Sequence, residues 1–236
     1  MPKLVQNNSI CSNCAIFPIC FTVGLDQEEL KKIDAVVISR MTFHKGDMLF
    51  DVGDKFSGIY VVRSGSFKVF TVLSNGEERI IEFCISGELL GFDAAEQQKH
   101  IYSSIALETS SVCKVSLEKL FQLATQIKSL QTQLFRLMSR ELAQLSTINL
   151  NSTAEQKLVQ FILNLSERLH RRGLLTTQIH LSMSREDISS YLGLASETIS
   201  RLLKKLQQRN LIKVQNRNIE LLDIPTLQKL EQGCVL

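Results

Sequence analysis

No stretch of this chain reaches the ~18 consecutive apolar residues that a membrane-spanning helix needs. The opening MPKLVQNNSI also lacks the apolar run of a secretion leader. The expected setting is therefore cytoplasmic, with no membrane partner. Histidine is scarce and scattered, at His44, His100, His170 and His180. Glycine loops of the P-loop or dinucleotide type are absent, and no serine or cysteine nucleophile has an evident base partner, so an enzyme is the weakest class. Charge of one sign is lacking too: 27 Lys+Arg against 24 Asp+Glu leave a net of +3. Cysteine is sparse, six in 236 residues, yet Cys11, Cys14 and Cys20 crowd into CSNCAIFPIC. A reducing compartment disfavours structural disulfides, so clustered thiols there read first as metal-binding or redox groups.

With 44% hydrophobic and 22% charged residues, there is apolar material for one or two globular cores. Seven of the eleven glycines lie between Gly46 and Gly91 and punctuate the runs GIYVVRSG, SFKVFTVL and RIIEFCI. These have strand composition, and Asn75-Gly76 is a two-residue hairpin signal. No helical pattern intervenes, which predicts a β-barrel or jelly roll rather than a mixed sheet. From Leu117 to Leu150 no Gly or Pro interrupts the chain, and one long helix is expected. Phe135, Met138, Leu142, Leu145 and Asn149 repeat along it at 3, 4, 3, 4 spacing, a heptad seam that predicts a homodimer. The competing reading, a stripe buried against the protein's own barrel, is met by a second stripe at Ile127, Leu130, Leu134 and Leu137.

The boundary of the C-terminal domain is expected at residue 151, where Asn151-Ser152-Thr153 offers a helix start. Residues 151–236 carry 12 Lys+Arg against 8 Asp+Glu, whereas residues 1–150 carry 15 against 16. Within LSMSREDISSYLGLASETISRLLKKLQQRNLI, Ser184 can cap a first helix and Gly193 permits a tight turn. Ser196 then begins a second helix whose buried face is Ile199, Leu202, Leu203 and Leu206. The other face presents Ser196, Glu197, Ser200, Arg201, Lys204 and Lys205. In a major groove Arg201 can donate twice to guanine, Glu197 can accept from cytosine N4, and Ser200 can serve either base edge. Lys204, Lys205 and Arg209 are expected on phosphate. A hairpin turning at Asn216-Arg217-Asn218 supplies a wing, with Lys213 and Arg217 as further backbone contacts. Double-stranded DNA is the expected partner.

CSNCAIFPIC, GELLGFDA with ALETSSVCKV, and MSREDISSYLGLASETISRLL together resemble the CRP/FNR transcription regulators, specifically the oxygen-sensing FNR branch. The resemblance covers nearly the whole chain. It implies an α+β protein: an N-terminal β-roll (jelly-roll) sensor domain, a long dimerisation helix and a C-terminal winged helix-turn-helix. The segments would be 1–22 for the cysteine-rich region, 23–116, 117–150 and 151–236. It further implies a [4Fe-4S] cluster on Cys11, Cys14, Cys20 and Cys113. Four thiolates suit such a cluster, although spacing alone does not separate it from zinc. Implied partners are a palindromic operator and RNA polymerase, the latter with the Asn75-Gly76 hairpin as a candidate contact. Oxygen would attack the cluster, weaken the dimer and lower DNA affinity. The seam carries no charge, which predicts a dimer that outlasts its cluster. Cyclic nucleotide is not expected, because the arginine that pairs its phosphate in related proteins falls here at Ser103. Cys84 reads as a small core residue and Cys234 as a bystander.

Overall fold

The computed structural model describes residues 3–4, 11–146, 152–171, 173 and 177–233; of residues 3–4, 12 and 140–146 only the backbone is described. Two compact units are present, Met1–Thr147 and Ile148–Leu236.

The first unit contains β1 (Lys3–Leu4), α1 (Gln27–Asp34), β2 (Val37–Phe43), β3 (Met48–Phe50), β4 (Ile59–Ser64), β5 (Ser66–Val72) and β6 (Glu78–Ile85). These are followed by β7 (Leu89–Leu90), β8 (Ser103–Ala106), β9 (Ser110–Val115), α2 (Leu117–Ala124) and α3 (Lys128–Ser146). One sheet runs β1-β2-β9-β4-β7 and the other β3-β8-β5-β6, with antiparallel pairings throughout. Phe43, Tyr60, Val62 and Val112 of the first sheet meet Phe50, Phe67, Val69 and Cys84 of the second in one core. Ile59, Val61 and Val115 project from the opposite face of the first sheet into another core, with α1, α2, α3 and the cysteine segment. Burial on both faces is why β4 reads as the unbroken apolar run IYVV.

Three elements differ from the sequence expectation. The Asn75-Gly76 turn is a three-residue loop, since Leu73 N–H donates to Glu77 O at 2.9 Å and Gly76 N–H to Leu73 O at 2.9 Å. Gly76 sits at φ +84°, the left-handed position such loops require. The single helix expected over 117–150 is two helices. Thr125 ends α2, its hydroxyl donating to Gln122 O at 2.8 Å and its N–H reaching Leu123 O and Phe121 O. Gln126 N–H continues the tightened turn, donating to Leu123 O at 3.0 Å. The helix α1, opened by the Asp26/Glu29 capping box, has no counterpart in the sequence reading.

Gly65 joins β4 to β5 at φ +75°. A Cβ there would stand 2.7 Å from Thr109 O and 2.8 Å from Ser110 Cα. Gly65→Ala is therefore expected to destabilise the unit by about 2–3 kcal/mol, combining left-handed strain with a backbone clash. A lowered urea midpoint measures it.

The second unit contains α4 (Ala154–His170), β10 (Gln178–His180), α5 (Arg185–Leu192), α6 (Ser196–Gln208), β11 (Ile212–Gln215), β12 (Asn218–Leu221) and α7 (Ile224–Glu231). Thr153 and Gln156 form the capping box of α4. The strands make an antiparallel sheet in the order β10-β12-β11, so helices and wing form a winged helix-turn-helix. The wing turn is shorter than expected: Gln215 pairs with Asn218, leaving Asn216 and Arg217 as a two-residue loop with Asn216 at φ +56°.

Candidate metal centre and nucleic-acid interface

The cysteine segment folds as two 3-10 turns, Cys11–Asn13 and Phe17–Ile19. Cys14 N–H donates to Cys11 O at 3.2 Å and Cys20 N–H to Ile16 O at 2.9 Å. Ile16 is buried in the helical core, and Phe17, Ile19 and all of Cys11, Cys14, Cys20 and Cys113 pack against it. Cys113 belongs to β9, paired with Arg40 of β2 on one side and Val61 of β4 on the other.

The structure brings these four thiols into electrostatic reach of one another. Cys11 feels the charge of Cys20 and Cys113, Cys20 that of Cys14, and Cys113 those of Cys14 and Cys20. Burial, then a hydrogen bond to Asp34, push the Cys11 thiol far above its ordinary value. Burial also raises Cys20, against hydrogen bonds from Thr22. Cys113 is pushed up to about 11 by burial, while the Arg63 and Arg40 guanidiniums pull the other way. At Cys11, Cys20 and Cys113 the neutral thiol is thus favoured until a metal displaces its proton. Among the described residues, no three His, Cys, Asp or Glu side chains stand close enough to hold one metal ion. Soft sulfur and an apolar wall suit an iron–sulfur cluster, which takes one thiolate at each of four corners, whereas zinc needs every sulfur about 2.3 Å from one centre. A cleft of about 320 Å³ opens beside Cys14, lined also by Ile16, Arg40, Arg63, Ser64 and Ser111.

Sequence reasoning missed the charged residues around the thiols. Asp34, the last residue of α1, accepts from Cys11 N–H at 3.0 Å and from Arg40 at 3.4 Å. The Asp26/Glu29 capping signature was legible, but the Arg40–Cys113 pairing depends on register between distant strands. Cys84 is fully buried in the other core, and Cys234 lies outside the described residues.

Ile127, just before α3, and Leu130 and Leu134 on it enter the core and Leu137 packs against it, whereas Phe135 and Met138 are 75% and 54% exposed. Leu142 and Leu145 have helical backbone only, and Asn149 lies outside the described residues.

At the nucleic-acid face, Ser184 and Asp187 close a capping box on α5, and Gly193 ends it in the left-handed conformation at φ +64°. Ile199, Leu202, Leu203 and Leu206 of α6 are buried. Glu197, Ser200, Arg201 and Lys204 are exposed on the opposite face, with Ser196 half-buried beside them. Two expected phosphate contacts are otherwise engaged. Lys205 pairs with Glu155 of α4 at 2.8 Å and Arg209 pairs with the same carboxylate at 3.3 Å. In the wing, Arg217 donates to Ser182 O at 3.1 Å, while Lys213 stands 4.0 Å from Glu220.

Ser103, at the place of the phosphate-pairing arginine, is buried. Its hydroxyl donates to Asp51 and accepts from Val52 N–H at 3.1 Å. Among the described residues no helix is long and apolar enough to cross a membrane.

Residues 156–230 match the Crp-like helix-turn-helix domain family and residues 40–126 the cyclic nucleotide-binding domain family. The transcriptional activator protein Anr of Pseudomonas protegens is 38% identical over 98% of this chain and 96% of its own. The anaerobic regulatory protein of Haemophilus influenzae is 38% identical over 93% of this chain and 87% of its own. Among solved structures, FixK2 from Bradyrhizobium japonicum superposes with a TM-score of 0.72 at 25% identity, covering 81% of this chain and 96% of that one.

Proposed function

Because the chain belongs to the CRP/FNR family of transcription regulators, we propose that it is an oxygen-responsive regulator of promoters for anaerobic metabolism. Its matched helix-turn-helix makes it a DNA-binding protein and not an enzyme. The names of its relatives, an activator called Anr and an anaerobic regulatory protein, support the oxygen signal. The observation that carries the reading is the convergence of Cys11, Cys14, Cys20 and Cys113 on the core that also receives the inner stripe of α3. These four residues would hold a [4Fe-4S] cluster. Bound there, it supplies an oxygen-labile iron–sulfur centre whose loss is the signal.

The chain's own residues relay that signal. The cysteines tie segment 11–20 to β9, and Ile16, Phe17 and Ile19 bring apolar cover with it. The cleft beside Cys14 admits small molecules. The core so completed presses on Ile127 and on Leu130 and Leu134 of α3, whose outer stripe, Phe135 and Met138, seals a homodimer in which Leu142, Leu145 and Asn149 continue the seam. Loosening the segment disturbs the inner stripe and hence the outer one on the same helix. Two-site coupling of this kind is typically worth ~1–3 kcal/mol. In the dimer, two copies of α6 lie one helical turn of DNA apart, ~34–36 Å, which demands a palindromic operator. Glu197, Ser200 and Arg201 read bases there, with Ser196 and Lys204 beside them and Lys205 and Arg209 at the backbone margin. The Asn75-Gly76 loop is the candidate contact with RNA polymerase. No cyclic nucleotide takes part, because the buried Ser103 offers a cyclic phosphate no charge and donates its hydroxyl hydrogen bond to Asp51, a carboxylate that repels anions.

The test is the visible spectrum of protein purified without oxygen, with binding to palindromic DNA measured before and after air. A broad sulfur-to-iron band that bleaches together with DNA affinity is expected. A colourless protein that binds DNA equally in both conditions would overturn oxygen sensing and leave a zinc-bound or metal-free regulator.

A further inference from the structure

Cys11 carries a contact that metal ligation neither uses nor explains. Its backbone N–H, 23 residues away in sequence, donates to Asp34 Oδ1 at 3.0 Å. The acceptor is well anchored. Asp34 ends α1, whose Leu30 and Ile33 are buried, and Arg40 donates to the same Oδ1 at 3.4 Å. Arg40 in turn lies directly across the strand pair from Cys113. A continuous non-covalent bridge therefore runs from Cys11 through Asp34 and Arg40 to the strand that bears the remote thiol. It engages main-chain and carboxylate atoms, so it persists when the thiols are empty.

We propose that Asp34 is the positioning residue of this centre: by pinning the main chain of Cys11 to α1, it keeps the N-terminal thiols docked beside Cys113 after the cluster is lost. The sensor is then poised for refilling. Without the pin, the segment must be re-ordered from a freer state each time the centre forms, an entropic cost borne residue by residue. This inference rests on the reading of Cys11 as a ligand, but its first test needs no metal.

That test is amide hydrogen exchange in reduced, cluster-free full-length protein, followed in peptides covering residues 11–20. Asp34→Ala is expected to raise exchange there by about tenfold or more, since one hydrogen bond to a charged acceptor is worth that much and the Cys11 thiol loses its own bond to the same carboxylate. Asp34→Asn retains an oxygen acceptor and should stay within about twofold of wild type. Arg40→Gln, which removes the ion pair and leaves the Cys11 bond, should also stay close to wild type. In the second arm, iron and acid-labile sulfide per chain are measured after isolation without oxygen, where Asp34→Ala should fall several-fold and Asp34→Asn should not. Unchanged exchange in Asp34→Ala would overturn the proposal, as would Asp34→Asn behaving like Asp34→Ala. A wild type that holds no iron would sink the oxygen-sensing function while leaving the exchange result to decide the pin.

Discussion

Cys113→Ser protein prepared without oxygen is expected to be colourless, and to bind palindromic DNA no better without air than the air-treated wild type does. The other three thiols all lie on one short segment, 11–20, while Cys113 stands on β9 between two paired strands. Removing it leaves the segment's thiols with no partner on the sheet, and a serine hydroxyl replaces a soft donor with a hard one. The loss of DNA affinity should match the whole coupling between centre and dimer, about 5- to 150-fold. Cys84→Ser is the control. Its thiol is fully buried in the other core, so the colour should remain while the thermal midpoint falls, since a buried hydroxyl costs ~1–3 kcal/mol. If Cys84→Ser also bleached, the ligand set would be wrong. If Cys113→Ser kept its colour, the remote ligand would lie elsewhere.

How far these sites could be read in advance followed the range of the interactions that build them. The helix-turn-helix was legible because each signal is local: the Ser184 cap, the left-handed Gly193, and the Ile199, Leu202, Leu203 and Leu206 spacing all act within one or two turns. The β-roll was legible as a class from its glycines, but not in its register, because Arg40 faces Cys113 only after strands more than seventy residues apart have paired. The break at Thr125 escaped for the opposite reason. The apolar pattern on both sides is compatible with one continuous helix, and no Gly or Pro marks the end of α2 at Thr125. The pairing of Lys205 and Arg209 was not legible because the recognition helix was read alone. Glu155, some fifty residues earlier, claims them both.

That division of the basic residues leads to the second large expectation. Arg201→Ala should weaken binding to the specific operator by about 10²- to 10⁴-fold. A good bidentate contact to a base is worth ~1–3 kcal/mol, the dimer makes it twice, and each 1.4 kcal/mol is tenfold. Binding to scrambled DNA should fall much less, because that affinity comes from charge neutralisation at phosphates. Lys204→Ala should do the reverse. It should lower specific and scrambled binding alike and flatten the dependence of log K on log salt, by up to ~0.9 for each phosphate contact removed. Lys205→Ala should do little to either, since its ammonium already faces Glu155 and reaching phosphate would mean giving up that pair. Glu197→Ala should chiefly relax the choice of base, because a carboxylate adds nothing to phosphate binding and can only reject a wrong edge. Titrations of each variant against operator and scrambled duplex at several salt concentrations separate these cases. Equal losses on both duplexes for Arg201→Ala would mean that α6 holds the backbone and that sequence is read elsewhere, through DNA shape or the wing. A loss confined to the operator would make Arg201, exposed on α6, the residue that links the state of the cysteine centre to a particular set of promoters.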